Sequence, residues 1–479
     1  MARVIGLERS PGMKLLFVAI VAAVLTIPLM FVYALVYDRQ DQSNTAQAAI
    51  NAGWGGPQVI AGPVVVVPFR TTQTQNEEVN GRTVTRTVEV EQLLYISPLE
   101  NHITTAIKPE ERRKSIYRSV LYEADVVGKA RFELPADLPR FGVTRERLLW
   151  DRAELRMGVS DARGLTSGGS LKADGENLSL QPGKGPAATG GQGFFAFLPW
   201  DGGTALAIDY TFGLRGSRAL SVVPRGGSTR WDVSSSWTSP SFGGGFLPES
   251  RSIAAGGFKA SYTIDKLALG QPPVSKEDYA AAPQNQFGFA EALEQGYSAR
   301  DTASGGANEV IGGSSHSLTV GLVEPVNLYS KVDRAVKYGF LFIGFTFLAF
   351  FLFDVVGGAR VAAAEYLLTG AGLVLFFVLL LAFAEVVGFT AAYLLASLAI
   401  IGLLTAYSAA VLKSWKRARF MAALLVGLYA LLFVLLNLEA WSLLIGSVLL
   451  FVALAGVMYA TRNVDWSAVG RKEEVVVEG

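Results

Sequence analysis

Acidic residues close to the long hydrophobic runs are the side chains best suited to chemistry in this sequence. They are Asp354, Glu365, Glu385, Glu439 and Asp465. A carboxylate inside a membrane is costly and often serves proton relay or ion coupling. Each of these five, however, lies at the end of a run or just beyond it, where water and headgroups can solvate it. The pattern favours helix caps and turns over a transport or hydrolase centre.

Other reactive groups are scarce. The chain has no cysteine and two histidines, His102 and His316, which excludes disulfides, thiol chemistry and cysteine-based metal sites. Ser314-Ser315-His316 places hydroxyls beside an imidazole, but sequence neighbours do not define a catalytic triad. The glycine-rich segments match neither a dinucleotide-binding nor a phosphate-binding loop. The sequence therefore predicts no catalytic residue, no metal site and no cofactor, and a protein that is not an enzyme.

Composition indicates a membrane protein. Hydrophobic residues make up 51% and charged residues 17% of the 479 positions, whereas a soluble domain has about 25% charged residues. The formal charge of +1 leaves no basic excess for binding nucleic acid. We therefore expect no nucleic-acid partner.

Six hydrophobic runs are long enough for membrane spans, which need roughly 20 apolar residues. The first, Leu15–Tyr37, is too long for a cleaved signal peptide and lacks a cleavage site, so it predicts a retained signal anchor over 15–37. Short connections between the others predict an antiparallel five-helix bundle over 338–460. Those five runs are Tyr338–Val356, Tyr366–Ala384, Phe389–Leu412, Phe420–Leu436 and Ser442–Ala460.

The placement of lysine and arginine predicts the orientation. If the N-terminus is cytoplasmic, residues 1–14 and 461–479 are both inside and residues 38–337 are periplasmic. Every basic residue outside 38–337 then falls on the cytoplasmic side: Arg3, Arg9, Lys14, Arg360, Lys413, Lys416, Arg417, Arg419, Arg462, Arg471 and Lys472.

The insert between the first two spans has the pattern of β structure. Valines alternate along 84–91, which is typical of a half-buried strand, and Asn80-Gly81 before it indicates a tight hairpin. Glycine-rich and serine-rich breaks predict a long loop or a subdomain boundary over 164–193 and a linker with one short helix over 283–313. Further short strands predict an all-β sandwich or barrel-like domain: Ile116–Val127, Ala205–Leu214, Ala219–Val223, Thr229–Trp237 and Phe258–Ile264.

Groups of residues along nearly the whole chain have the order and spacing of a known family. They include Trp54-Gly55-Gly56-Pro57-Gln58, Leu214-Arg215-Gly216-Ser217, Ser236-Trp237, Phe246-Leu247-Pro248, Glu324-Pro325-Val326-Asn327-Leu328-Tyr329, Ala392-Tyr393 and Asp465-Trp466. On these residues the chain resembles the inner membrane protein CreD family of Gram-negative bacteria, also called cell envelope integrity proteins. The resemblance implies an inner-membrane location, a periplasmic domain and a role in envelope homeostasis linked to two-component stress signalling, without enzymatic activity.

Two positions depart from the family pattern. Val386 stands where a histidine usually follows the glutamate, and Ala440 stands where an acidic residue usually follows Glu439. Both departures weaken a proton relay through these groups. We expect Glu385 and Glu439, in the two short outer loops, to dock the periplasmic domain or a partner. The expected basic groups at this docking site are Lys331, Arg334 and Lys337.

The expected function is binding or sensing of an envelope component by the periplasmic domain, with the bundle as its membrane anchor. A small-molecule or lipid transporter built on the bundle is the alternative, and an intramembrane hydrolase is a third. Carboxylates that face one another at mid-depth would favour transport or hydrolysis, whereas a tightly packed bundle would favour the scaffold. The expected partners are membrane lipids and an envelope protein or ligand that the sequence does not identify, and the oligomeric state is open.

Overall fold

The computed structural model describes residues 11–79, 82–166, 168–278, 316–322, 328–355, 361–437 and 442–462. The chain forms two compact units. The helical unit contains Met1–Ser43 and Val326–Gly479, and the β unit is Asn44–Pro325. These limits differ from the predicted 38 and 337, because the first helix continues beyond its apolar run and a helix just before the second span packs within the helical unit.

The first helix, α1, is Pro11–Ala52. At 1.5 Å per residue it is about 63 Å long, roughly twice the hydrocarbon thickness of a bilayer. After the apolar run the sequence is polar but has neither glycine nor proline before Gly53, so the helix continues. The last turns of α1 belong to the β unit, where Asn51 Oδ1 accepts a hydrogen bond from Ser119 Oγ at 2.7 Å.

A short helix and a series of long apolar helices complete the helical unit. They are α3 Leu328–Lys337, α4 Gly339–Val355, α5 Ala363–Val387, α6 Phe389–Val411, α7 Trp415–Asn437 and α8 Ser442–Thr461; α2 is Lys266–Leu269 in the β unit. Within the described ranges, 5 helices are long and apolar enough to cross a membrane. The sixth predicted span corresponds to α8, which contains the shorter apolar stretch Leu444–Gly456.

Aromatic rings fill the centre of the helical unit. Tyr429 of α7 lies 4.5 Å from Phe376 of α5 and 4.8 Å from Phe342 of α4, measured between ring centroids. Tyr393 of α6 donates to the Tyr429 carbonyl at 2.6 Å. Ala392 is fully buried, which lets the backbone of α6 approach its neighbours closely. Four helices therefore share one tightly packed interior.

The β unit contains two sheets. Sheet A has the order β13-β17-β11-β1-β5-β9-β8, with β2 paired to β1 and β16 paired to β2. Its strands are β1 Gln58–Val79, β2 Arg82–Ile96, β5 Glu154–Val159, β8 Gln181–Pro182, β9 Gly193–Phe197, β11 Ala219–Val223, β13 Pro240–Gly244, β16 Val274–Ser275 and β17 Leu318–Leu322.

Sheet B has the order β14-β15-β12-β3-β4-β10-β6-β7. Its strands are β3 Glu100–Lys114, β4 Tyr117–Phe132, β6 Ser170–Ala173, β7 Glu176–Asn177, β10 Leu206–Ser217, β12 Ser228–Ser235, β14 Ser250–Ala254 and β15 Gly257–Ile264. Side chains alternate between buried and exposed along β10, the period-two pattern of a sheet with one covered face.

One apolar core draws on both sheets. Val65 and Leu155 of sheet A belong to the same buried cluster as Ile103, Tyr122 and Trp231 of sheet B. The predicted β class of the insert is therefore confirmed, and each strand predicted from the sequence overlaps an observed one. The predicted loop over 164–193 instead contains the short strands β6, β7 and β8, whereas the predicted linker over 283–313 lies outside the described residues.

Candidate functional site

Glu385 lies in the last turn of α5 and contacts two other helices of the helical unit. Its side chain is 10% exposed. Tyr329 Oη of α3 donates to Glu385 Oε1 at 3.2 Å, and Arg39 Nε of α1 lies 4.0 Å from the same oxygen. One carboxylate thus connects α1, α3 and α5 at one end of the bundle.

Helix α3 carries the three predicted basic groups. Its buried residues Tyr329, Val332 and Val336 follow the i, i+3, i+7 spacing of an amphipathic helix. That spacing is the signal that assigns these residues to a helix, and the interpretation of 38–337 as one domain overlooks it. As part of α3, the basic residues belong to the helical unit.

The basic groups have contacts within the helical unit. Lys331 Nζ donates to Asn437 Oδ1 of α7 at 3.4 Å and lies 5.3 Å from the ring centroid of Phe389. Lys337 forms an ion pair with Asp333 at 2.7 Å, one turn away on α3. Arg334 is half-buried on the same helix. The structure thus brings Glu385 and Lys331 to the end of the bundle at which α3 lies; Glu439 lies outside the described residues.

The opposite end of the bundle holds a buried ion pair. Asp354, near the end of α4, has a side chain that is 3% exposed and lies 3.0 Å from Lys14 Nζ of α1. Its Oδ1 also accepts from the backbone N–H of Val361 at 3.4 Å. The expectation that Asp354 is solvated at the membrane surface is therefore wrong, because Lys14 from a distant part of the chain covers it.

The outer face of sheet B carries a polar cluster centred on Asp232. Its Oδ2 lies 2.7 Å from His102 Nε2 and 3.0 Å from Arg230 Nε, and its Oδ1 accepts from Ser261 Oγ at 2.6 Å. Burial raises the pKa of Asp232, but the hydrogen bonds from Ser261, Arg230 and His102 outweigh it and lower the pKa to about 2. The carboxylate is therefore ionised at neutral pH.

This cluster is not arranged for nucleophilic catalysis. Ser261 donates to the carboxylate rather than to His102, so the histidine does not activate the hydroxyl as a general base would. Beside the cluster, a cleft of about 490 Å³ is lined by His102, Arg230, Lys129 and Asp209. That volume falls within the range of about 300–1,000 Å³ for ligand sites. The cleft presents both signs of charge to a polar ligand.

The residues that carry the family resemblance have structural roles at the start of β1. Trp54 contacts two guanidinium groups: the Cζ atoms of Arg112 and Arg215 lie 4.0 and 4.5 Å from its ring centroid. Such cation–π contacts hold a partly exposed indole in place. Trp54 follows directly on the end of α1 and fixes the path of the chain into sheet A.

Gln58 is the centre of a buried hydrogen-bond network and is 1% exposed. Its Nε2 donates to the carbonyls of Arg215 at 2.9 Å and Asp161 at 3.3 Å. Its Oε1 accepts from Ser160 Oγ at 3.0 Å and from the Asp161 N–H at 3.1 Å. A Cβ on Gly164 would lie 2.5 Å from Gln58 Nε2, so only glycine fits there.

The two histidines have different surroundings. His102 lies in strand β3, and its neighbour Asn101 is buried, where its Oδ1 accepts from Tyr210 Oη at 2.8 Å. His316 packs its ring 6.1 Å from that of Phe246, while the adjacent serines lie outside the described residues. Across the part of the chain that the structure describes, no group of three or more His, Asp or Glu could hold a metal.

Comparison with known proteins places the chain in a family. A family model described as inner membrane protein CreD matches residues 10–467. The curated inner membrane protein CreD of Escherichia coli (strain K12) is 32% identical over 450 residues, which cover 93% of this chain and 91% of that protein. No solved structure matches the chain. Because the match runs through both the helical unit and the β unit, the chain belongs to the inner membrane protein CreD family.

Proposed function

We propose that this chain is a non-enzymatic inner-membrane protein of cell envelope integrity. In this proposal its β unit lies in the periplasm and binds or senses an envelope component. Its helical unit anchors the β unit in the membrane. The helical unit has six spans, and both termini of the chain are in the cytoplasm. Membership of the CreD family supports the location. The orientation is supported by one observation about the two ends of the bundle.

Both connections to the β unit leave the helical unit at the same end. Arg39 precedes the first connection and Tyr329 follows the second, and both approach Glu385. The other end carries Lys14 of α1 and the basic start of α7, with Lys416 and Arg417. Because cytoplasmic loops of membrane proteins are enriched in Lys and Arg, the basic end is the cytoplasmic one, and the β unit is then periplasmic.

The packing of the bundle favours an anchor over a transporter. Transporter sites place substrate and coupling-ion groups near the bilayer midplane. In the described residues of α4 to α8, the acidic side chains Asp354, Glu365 and Glu385 stand at helix ends, and aromatic rings occupy the interior between them. The polar cleft beside Asp232 on sheet B is the surface we propose for the envelope component.

The orientation is tested with a reporter that is active only in the periplasm. Fused after Gly313, it should be active; fused after Arg419, it should be silent. The opposite pattern would contradict the orientation.

Deletion of the gene should lower tolerance to detergent, and the intact chain should restore it. Unchanged tolerance in the deletion strain would contradict the envelope role while leaving the orientation intact.

Within this proposal, Glu385 and Glu439 dock the segments through which the β unit is attached to the bundle. Glu385→Leu removes the acceptor for Tyr329 and the charge facing Arg39. Such contacts are individually weak. We therefore expect the ratio of docked to undocked α3 to fall by roughly three- to tenfold. The measurement is crosslinking of Lys331→Cys with Asn437→Cys by a short thiol reagent. The chain has no other cysteine to react.

The control is Glu365→Leu, which removes a carboxylate from the other end of α5, where Glu365 accepts from the Ala362 N–H at 2.7 Å. It should leave the crosslinking rate unchanged. Glu439→Gln combined with Glu385→Leu should loosen α3 further. If the combined variant crosslinks like the parent but loses detergent tolerance, docking is wrong, and a transport role for these carboxylates becomes the better explanation.

A further inference from the structure

An apolar groove opens between α4, α7 and α8. Its volume is about 520 Å³, within the range of about 300–1,000 Å³ for ligand sites. The walls include Phe345 and Leu352 of α4 and Phe420 and Leu424 of α7. Along α4, from Phe345 to Phe353, the groove extends about 12 Å, parallel to the helices that cross the membrane. A molecule that fills it presents an extended apolar chain.

Two cations line the groove at one end. Lys416 and Arg417 belong to the first turn of α7, and the guanidinium Cζ of Arg417 lies 6.0 Å from the ring centroid of Phe353. The first turn of α7 contains no acidic residue. Positive side chains at a helix N-terminus oppose the helix dipole. An anion beside Lys416 and Arg417 would offset this repulsion.

We propose that this groove binds one molecule of an anionic phospholipid. The phosphate contacts Lys416 and Arg417, and an acyl chain lies along Phe345, Leu352 and Phe420. The requirement for negative charge follows from the two cations and from the positive end of the helix dipole at which they stand. The requirement for an acyl chain follows from the apolar walls that continue away from them. This site lies in the helical unit and is independent of the orientation proposed above.

The test is native mass spectrometry of the full chain purified in detergent, with dioleoyl phosphatidylglycerol, dioleoyl phosphatidylcholine or inorganic phosphate added. We expect one phosphatidylglycerol to be retained more strongly than phosphatidylcholine. Lys416→Gln with Arg417→Gln should weaken its retention by about thirtyfold. Lys413→Gln with Arg419→Gln removes the same charge from the same segment but from residues that do not line the groove, and should retain the lipid like the parent.

A second variant fills the groove instead of changing its charge. Gly456 of α8 lines the groove, and a Cβ there would meet nothing within 4 Å, so the side chain of Gly456→Leu starts in open space and extends into the acyl-chain space. Gly446→Leu, on the same helix and equally open, is the matched control. Gly456→Leu should lower retention and Gly446→Leu should not.

Three results would overturn the proposal. Retention of phosphatidylglycerol by the Lys416→Gln/Arg417→Gln variant at the parent level would show that the cations do not hold the headgroup. Equal retention of both lipids would show an unspecific apolar surface. Displacement of the retained phosphatidylglycerol by an equal concentration of inorganic phosphate would show an anion site without an acyl chain.

Discussion

Gln58→Leu is expected to destabilise the β unit strongly. The substitution keeps the apolar part of the side chain but removes the amide from the Arg215 carbonyl and from the Asp161 N–H. The Asp161 carbonyl keeps the hydrogen bond that it accepts from the Gly164 N–H at 3.0 Å. Each unsatisfied buried group costs about 1–3 kcal/mol, and a domain is stable by about 5–15 kcal/mol in total. The combined loss is a large part of that stability.

The measurement is hydrogen exchange of the full chain in detergent, followed at the amides of β5 and β11, the neighbours of β1 in sheet A. Loss of protection there is the expected result. The matched control is Gln73→Leu, the same change on the same strand at an exposed position, which should leave protection unchanged. Equal protection in the two variants would contradict a structural role for Gln58.

Lys14→Met is expected to destabilise the helical unit by about 3–5 kcal/mol, because it leaves the buried Asp354 carboxylate without its cation. The length of the side chain is preserved, so the loss arises from charge and not from packing. Thermal unfolding of the helices, followed by far-ultraviolet circular dichroism in detergent, measures the effect. Lys413→Met, at an exposed lysine, should be close to neutral.

A second substitution tests whether the stability lost in Lys14→Met comes from the broken ion pair or from the methionine itself. Asp354→Asn combined with Lys14→Met removes both charges and should recover most of the lost stability, so that the double-mutant cycle shows strong coupling. If the two losses simply add, the 3.0 Å contact between Lys14 and Asp354 does not carry the stability assigned to it.

Apolar periodicity in the sequence predicts most of the long helices and several strands, but fails where polar residues occupy structural positions. Strand β3 buries Asn101 and Thr105 alternately with isoleucines, so its inward face does not read as apolar. Asn101 is tolerated there because Tyr210 and the Gly62 carbonyl satisfy its amide. Likewise α1 continues through polar residues after its apolar run, where hydropathy predicts an end.

The candidate site is predictable only in part. Glu385 stands out in the sequence as a carboxylate next to a span, but its contacts with Tyr329 and Arg39 join residues far apart in the chain. The same is true of Asp354 and Lys14. Which distant helices meet depends on how the whole bundle packs, and a local pattern of residue types does not contain that information.

The position of β17 in sheet A affects how the protein is made. This strand, the last described in the β unit, pairs with β11 on one side and β13 on the other. It therefore joins strands that were synthesised about a hundred and about eighty residues earlier. Sheet A cannot be completed until residue 322 has been synthesised, immediately before α3 and the second span. Since non-local pairing is slow, the β unit finishes folding only as the bundle begins to insert, and it spends its synthesis as an incomplete sheet.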